Sequence, residues 1–172
     1  DDAVAGRSGQ TYTCALRSNG RVSCWDGWGF DDQGRPFGPE DVPGVDDATG
    51  LWLSHDGICV TRKERELWCV DHEGWTDERR PVDFSPRPID VGQVREVVTG
   101  LGRTCALRSE GTVSCWSTDR SGPEPVRTAP RKVSGLEDID HLIGSSTHMC
   151  ARSGTRWWCW GDPEAFDPDP TL

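Results

Sequence analysis

The chain has 172 residues, of which 34% are hydrophobic, and its 29 acidic and 19 basic side chains give a formal net charge of -10. This length allows one ordinary domain or a short array of repeated units, and it excludes two large domains. No run approaches the ~20 apolar residues that span a bilayer, and an acidic surface repels nucleic-acid phosphates. We therefore expect neither membrane insertion nor a nucleic-acid partner.

The cysteines divide the chain into repeats. They fall in four pairs along the sequence: Cys14 and Cys24, Cys59 and Cys69, Cys105 and Cys115, and Cys150 and Cys159. The members of a pair are 10, 10, 10 and 9 positions apart, and successive pairs begin 45, 46 and 45 positions apart. Repeats of this period are typical of propellers and stacked arrays. The sequence therefore contains four copies of one unit.

The first copy, TYTCALRSNGRVSCWDG, reads as a strand, a turn and a second strand. Its loop, Ser18-Asn19-Gly20, ends in a residue that tolerates positive φ. Such a loop places Leu16 opposite Val22. It also brings the first cysteine pair to a non-hydrogen-bonded position, where Cα atoms approach to about 4.5 Å and a disulfide fits.

The other copies test this interpretation. The third repeats the loop as Ser109-Glu110-Gly111. The fourth is one residue shorter, and a two-residue turn at Gly154-Thr155 again places Cys150 opposite Cys159. The second has Lys63-Glu64-Arg65, with no glycine at the left-handed position, which predicts a longer or strained turn.

Four disulfides across hairpins predict an extracellular, periplasmic or cell-surface protein, because such bonds persist in oxidising compartments. The alternative is zinc bound by cysteine thiolates. Zinc sites usually separate two cysteines by two to four residues, and none of the pairs has that spacing. We therefore predict no metal and no cofactor.

The segments between the hairpins carry a second, weaker repeat. Each contains a proline, a short β-prone stretch, an acidic turn and another apolar stretch, so that each unit holds about four strands. Four antiparallel strands make one propeller blade. We predict an all-β fold, a small β-propeller of four four-stranded blades, each with a disulfide-stapled hairpin. The chain is one repeat domain with blades at roughly 1–38, 39–80, 81–126 and 127–172.

The pattern CALRSxGxVxCW resembles the repeat of the regulator of chromosome condensation family, specifically its secreted bacterial branch with paired cysteines in each repeat. The match is clearest at residues 105–116 and 14–25, recognisable at 149–161, and faint in the second copy, where Val70 replaces a tryptophan. The resemblance implies a β-propeller whose blades present loops to other proteins. Members include a nucleotide exchange factor and a secreted inhibitor of β-lactamases, and contact residues of neither map onto this chain.

The number of repeats differs from the family, whose members usually have about seven blades. Three arrangements are compatible with four repeats. In the one we favour, a single four-bladed ring closes with the C-terminal segment, residues 169–172, as the outer strand of the first blade. In the second, two chains join into an eight-bladed ring. In the third, the chain is part of a longer array.

The tryptophans fall into two groups. Three follow the second cysteine of a hairpin and are predicted to pack between blades: Trp25, Trp116 and Trp160. Three others do not recur in register and are predicted to bind a protein partner as exposed anchors: Trp28, Trp52 and Trp75.

We predict no catalytic activity, because no nucleophile, base and orienting group occur together. The histidines show no common spacing and are assigned to solvated turns: His55, His72, His141 and His148. The predicted function is a secreted or cell-surface protein-binding module that recognises another protein, or a second copy of itself, through rim loops and exposed tryptophans. Two alternatives stay open: a structural subunit of an extracellular fibre or surface assembly, and a carbohydrate-binding propeller.

Overall fold

The computed structural model describes residues 2–9, 12–26, 38–54, 57–71, 86–100, 102–119, 126–145 and 148–161. Apart from one 3₁₀ turn at Lys63–Arg65, the elements among these residues are strands: β1 (Ala3–Ser8), β2 (Tyr12–Arg17), β3 (Val22–Asp26), β4 (Glu40–Asp41), β5 (Gly50–Ser54), β6 (Gly57–Thr61), β7 (Glu66–Asp71), β8 (Arg87–Gly100), β9 (Arg103–Arg108), β10 (Val113–Asp119), β11 (Val126–Arg127), β12 (Arg131–Lys132), β13 (His141–Gly144), β14 (Met149–Ser153) and β15 (Arg156–Trp160). The all-β prediction is confirmed. This part of the chain contains no helix that is long and apolar enough to cross a membrane.

The four cysteine hairpins are β2–β3, β6–β7, β9–β10 and β14–β15. Each has its two cysteines directly opposite each other, with Cα atoms 4.0 to 4.1 Å apart, and each pair is joined by a disulfide. Leu16 lies opposite Val22 and Ser153 opposite Arg156, which is the register that the loop lengths predict. In the second hairpin Glu64 and Arg65 both have φ of 61°, so that turn adopts the strained conformation expected without glycine.

The strands form repeated antiparallel units. The first unit has the strand order β1-β2-β3-β4, and the fourth has β13-β14-β15. The second and third units share one long strand, β8, whose first residues pair with β7 and whose residues from Val94 onward pair with β9. Gly92, with φ of 72°, lies where the pairing changes. A left-handed residue at this point lets one strand end the second unit and begin the third.

Both faces of a hairpin carry buried residues, because successive side chains on a strand point to opposite sides. We call the face that bears the disulfide the front face and the opposite one the back face. The front face of each of the first three hairpins packs against the back face of the next hairpin. The three resulting apolar clusters include Cys14, Leu16 and Val22 with Ile58, Val60 and Val70; Cys59, Leu67 and Cys69 with Ala106 and Trp116; and Cys105, Leu107 and Val113 with Met149, Ala151 and Trp160.

Among the described residues, these clusters join the first unit to the second, the second to the third, and the third to the fourth. No cluster there joins the fourth unit to the first. The described residues thus supply three of the four interfaces that a closed four-bladed ring requires. The first unit already has four strands within residues 3–41. The C-terminal segment lies outside the described residues, so its predicted strand in the first blade stays a prediction, as do the blade boundaries.

The turn of the first hairpin allows a test of how consecutive units are held together. Gly20 has φ of 82°, and a Cβ at this position would lie 2.7 Å from the backbone oxygen of Asp46. Gly154, in the turn of the fourth hairpin, has φ of 58° with nothing within 4 Å of such a Cβ. We expect Gly20→Ala to lower the free energy of unfolding by about 2–4 kcal/mol through backbone strain and overpacking, and Gly154→Ala by about 1 kcal/mol through strain alone. Urea unfolding of the oxidised proteins measures both values, and equal losses would contradict the proposed contact.

Candidate functional site

The two ends of the hairpins form two different rims. At the rim made by the hairpin turns, the backbone links each odd unit to the segment that follows it. Ala48 N donates to Gly20 O at 2.9 Å, and Ile139 N donates to Gly111 O at 2.8 Å. Positive φ at both glycines, 82° and 84°, allows these close approaches. The turns at this rim therefore help to hold the first and third units against the segments that follow them.

The opposite rim holds the last residues of β3 and β7 and the first residues of β4 and β8. One connection runs from the end of β3 to the start of β4, and another from β7 to β8. Trp28 and Trp75, two of the predicted partner-binding residues, belong to these connections and lie outside the described residues. Their predicted role stays a prediction.

Trp52, the third predicted anchor, lies on β5 opposite Cys59. It is half-buried and packs against the cluster between the second and third units. The edge of its indole ring fits where Gly50 has no side chain, because a Cβ there would lie 2.6 Å from the ring. Part of this side chain therefore contributes to packing between units, and its role in partner binding stays a prediction.

The front face of the fourth unit differs from the other three front faces. Val22, Leu67 and Val113 are at most 1% exposed, whereas Trp157 at the equivalent position is 47% exposed. Ile143, which pairs with Cys150 across β13 and β14, is 46% exposed. Cys159 is exposed as well, although seven of the eight cysteines are buried or half-buried. This face is therefore an uncovered apolar surface.

The back face of the first unit is also open. It carries the same residue types as the back face of the third unit at four equivalent positions: Thr13, Ala15, Ser23 and Trp25 against Thr104, Ala106, Ser114 and Trp116. In the third unit all four are buried, and Ala106 and Trp116 pack against the second unit. In the first unit the threonine, alanine and tryptophan are only half-buried. The predicted packing between blades is thus seen for Trp116 and Trp160, while Trp25 has no described unit over it.

A polar network closes one edge of this back face. Arg17 Nε donates to Ser23 Oγ at 2.8 Å, and Ser23 Oγ donates to Asp41 Oδ1 at 2.5 Å. Arg21 donates to the second oxygen of Asp41 at 3.0 Å. The hydrogen bond from Ser23, followed by the charges of Arg21 and Arg17, holds the pKa of Asp41 below its ordinary value of 3.8.

The assignment of His141 to a solvated turn is wrong, because this residue begins strand β13 and is half-buried. His141 Nδ1 lies 3.1 Å from Glu96 Oε2, and the same oxygen accepts a hydrogen bond from Leu142 N at 2.8 Å. Glu96 thereby ties β13 to β8. His55 and His72 lie outside the described residues. Within the described ranges, no three His, Cys, Asp or Glu side chains are grouped as a metal site would require.

Comparisons with known proteins identify the fold. No protein-family model matches the chain, and no curated protein sequence matches it. Yeast RCC1 (Prp20) bound to Kap60 is similar in structure, with a TM-score of 0.71, 14% identity, and coverage of 98% of this chain and 47% of that one. Prp20p from Saccharomyces cerevisiae, described with its binding to Gsp1p and histones, has a TM-score of 0.68 and 19% identity, over 94% of this chain and 44% of that one. Human WBSCR16 has a TM-score of 0.65 and 19% identity, over 92% of this chain and 47% of that one.

The chain therefore has the RCC1-like β-propeller fold that the repeat pattern predicts. It spans about half the length of these three structures. Identities below 20% carry the fold alone, because one fold hosts many functions. The assignment to a secreted bacterial branch stays a prediction.

The network at Asp41 predicts a dependence of stability on pH. A carboxyl whose pKa is lowered on folding stabilises the protein above its unfolded pKa, and this contribution is lost as the pH falls through the folded pKa. We expect Asp41→Asn to lower the free energy of unfolding by about 0.5–1 kcal/mol at pH 7, since the group is partly exposed. The difference from wild type should disappear as the pH falls well below 3.8.

Urea titrations at pH 7 and at acidic pH measure this difference. Glu40→Gln, at the adjacent exposed position, is the matched control and removes a charge without touching Ser23 or Arg17. A loss for Asp41→Asn that is equally large at both pH values would contradict the role assigned to the ionised carboxylate.

Proposed function

We propose that the chain is a protein-binding module of an oxidising compartment, extracellular, periplasmic or on the cell surface, with no chemistry of its own. The compartment is supported by the pairing of all eight cysteines in disulfides. Thiols of this kind stay reduced in the cytosol, so four hairpin disulfides favour secretion.

The observation that carries the binding function is the difference between the two rims. At the hairpin-turn rim, Gly20 and Gly111 accept backbone hydrogen bonds from the segments that follow the first and third units, and a side chain at either glycine would crowd that segment. At the opposite rim, Cys24 pairs with Glu40 and Cys69 pairs with Arg87, and long segments of sequence join these paired residues. Loops held by a rigid scaffold are where binding residues concentrate. The binding surface is therefore assigned to this rim.

Aromatic side chains in these connections give the partner an anchor. Trp28 and Trp75 lie in the first and second connections, and a tryptophan that becomes fully buried on binding is a frequent hot spot. The similar structures support a protein as the partner, because yeast RCC1 is seen bound to Kap60 and Prp20p is described with Gsp1p and histones. This support is an analogy of fold and does not name the partner.

Site-specific photo-cross-linking tests the rim. A photoreactive phenylalanine at position 28 or 75 should yield adducts with other proteins when the chain is irradiated in the extracellular fluid of its source. The same group at position 19, in an exposed hairpin turn, is the matched control and should yield none. Trp28→Ala and Trp75→Ala should lower the affinity for the captured protein by about 30-fold or more. Adducts of equal yield at all three positions, or at none, would contradict the assignment of the binding surface to this rim.

A mass measurement tests the compartment independently of any partner. The intact chain isolated from its source without reducing agent should weigh about 8 Da less than the reduced chain, since each disulfide removes two hydrogens. Alkylation with iodoacetamide before and after denaturation shows whether any thiol was free. Free thiols in the isolated protein would place it in a reducing compartment and overturn this part of the proposal.

A further inference from the structure

One interface occurs three times within the chain. In each case the front face of a hairpin packs against the back face of the next one and encloses an apolar cluster. The front face of the fourth hairpin and the back face of the first are the two halves of a fourth such interface, and no described residue of the chain joins them. The end faces therefore leave an internal interface incomplete at each end.

The exposed front face has the chemistry of a buried one. Trp157, at 47% exposure, occupies the position of Leu67, which is 1% exposed in the second unit. Ile143, at 46%, occupies the position of Trp52, which packs between the second and third units. The charge at this face is already paired, because Arg152 Nε donates to Asp140 Oδ1 at 2.7 Å while its guanidinium lies 5.7 Å from the Trp157 ring. Arg152 would therefore keep its partner if this face were covered.

The back face of the first unit is suited to receive it. Its Thr13, Ala15, Ser23 and Trp25 match, type for type, four residues of the third unit, of which Ala106 and Trp116 pack against the second unit. The even units differ from the odd ones at the serine position. At this position the second and fourth units have Trp68 and Trp158. The guanidinium of Arg62 lies 4.5 Å from the Trp68 ring, and that of Arg156 lies 5.0 Å from the Trp158 ring.

This alternation fixes which faces belong together. Within the chain, the back face of the third unit, an odd-numbered unit, packs against the front face of the second unit, an even-numbered one. Placing the fourth unit before a first unit repeats this order, with an even front face on an odd back face. Contact between two front faces or two back faces has no counterpart within the chain.

We propose that the front face around Trp157 binds the back face of the first unit of a second copy of this chain, head to tail. The chain matches about half of yeast RCC1 over nearly its whole own length, so its four units follow the curvature of roughly half of a larger propeller. Two copies arranged head to tail then close one ring with two identical junctions. The second junction forms within the complex, which strengthens both.

Sedimentation velocity of the intact, oxidised chain tests this assembly. Wild type should sediment at twice its mass of 19.0 kDa. Trp157→Arg on the front face and Ala15→Arg on the back face should each raise the dissociation constant about a hundredfold or more. Val126→Arg, at a 63% exposed position on β11 outside both end faces, is the matched control and should leave the dimer intact.

Mixing the two monomeric variants gives the decisive result. Each retains one unaltered face, so a head-to-tail junction predicts a mixed dimer with a single junction. This dimer also shows that both variants are folded. A wild-type chain that stays monomeric at its highest soluble concentration overturns the proposal, as does a dimer that Trp157→Arg abolishes and Ala15→Arg leaves unchanged. Wild-type polymers longer than two chains, disrupted by both variants, support the same junction. Rim cross-links to proteins other than this chain do not depend on the junction, so the two proposals fail separately.

Discussion

Each hairpin of this chain is a two-sided layer, and the rest of the structure depends on that constraint. A sheet with one polar face can rest against a single neighbour, but the second hairpin buries Ile58 and Val60 on one face and Leu67 on the other. Such a unit exposes apolar surface unless it has a neighbour on each side. The second and third units have a neighbouring unit on each face. The first and fourth units have the same two-sided apolar pattern, with a described neighbour on one face.

The disulfides act within this constraint. The cysteines lie on the front faces, and those of the first three hairpins belong to or pack against the apolar clusters, with Cys14 and Cys105 completely buried. Closing a loop of about ten residues removes conformations from the unfolded chain and contributes about 2–3 kcal/mol for each bond in the entropic account. A blade of few residues buries too little surface to hold its hairpin register alone. The disulfide therefore holds the hairpin in register, and in the second and third units a neighbouring unit covers each face.

Much of this arrangement follows from local rules that are readable in the sequence. The spacing of Cys14 and Cys24 fixes the register once the loop length is known, and the missing residue in the fourth hairpin is matched by its two-residue turn at Gly154. The strained turn at Glu64 follows equally from the absence of glycine. These features depend on residues close in the chain, so the sequence alone was sufficient.

Features that depend on distant residues were not predictable in the same way. Gly92 recurs in the other connecting segments as Gly44 and Gly135, each with positive φ, so its presence alone does not show that β8 serves two units. The hydrogen bond from Leu142 N on β13 to Glu96 spans 46 positions. Trp52 looked like a surface anchor because it does not recur, yet its ring is half-covered through a local gap at Gly50. Periodicity identifies the faces of a strand, but it does not show what lies against them.

The contrast between Trp25 and Trp116 shows what sets a residue's role here. Both follow the second cysteine of a hairpin, both lie on the back face, and both have threonine, alanine and serine around them at equivalent positions. Trp116 is 5% exposed because the second unit packs over it, and Trp25 is half-buried because no described unit does. The same side chain is therefore core in one unit and surface in the other. In a repeat fold the end units retain the sequence of an interior, and their exposed faces are where such a chain is predisposed to meet another polypeptide.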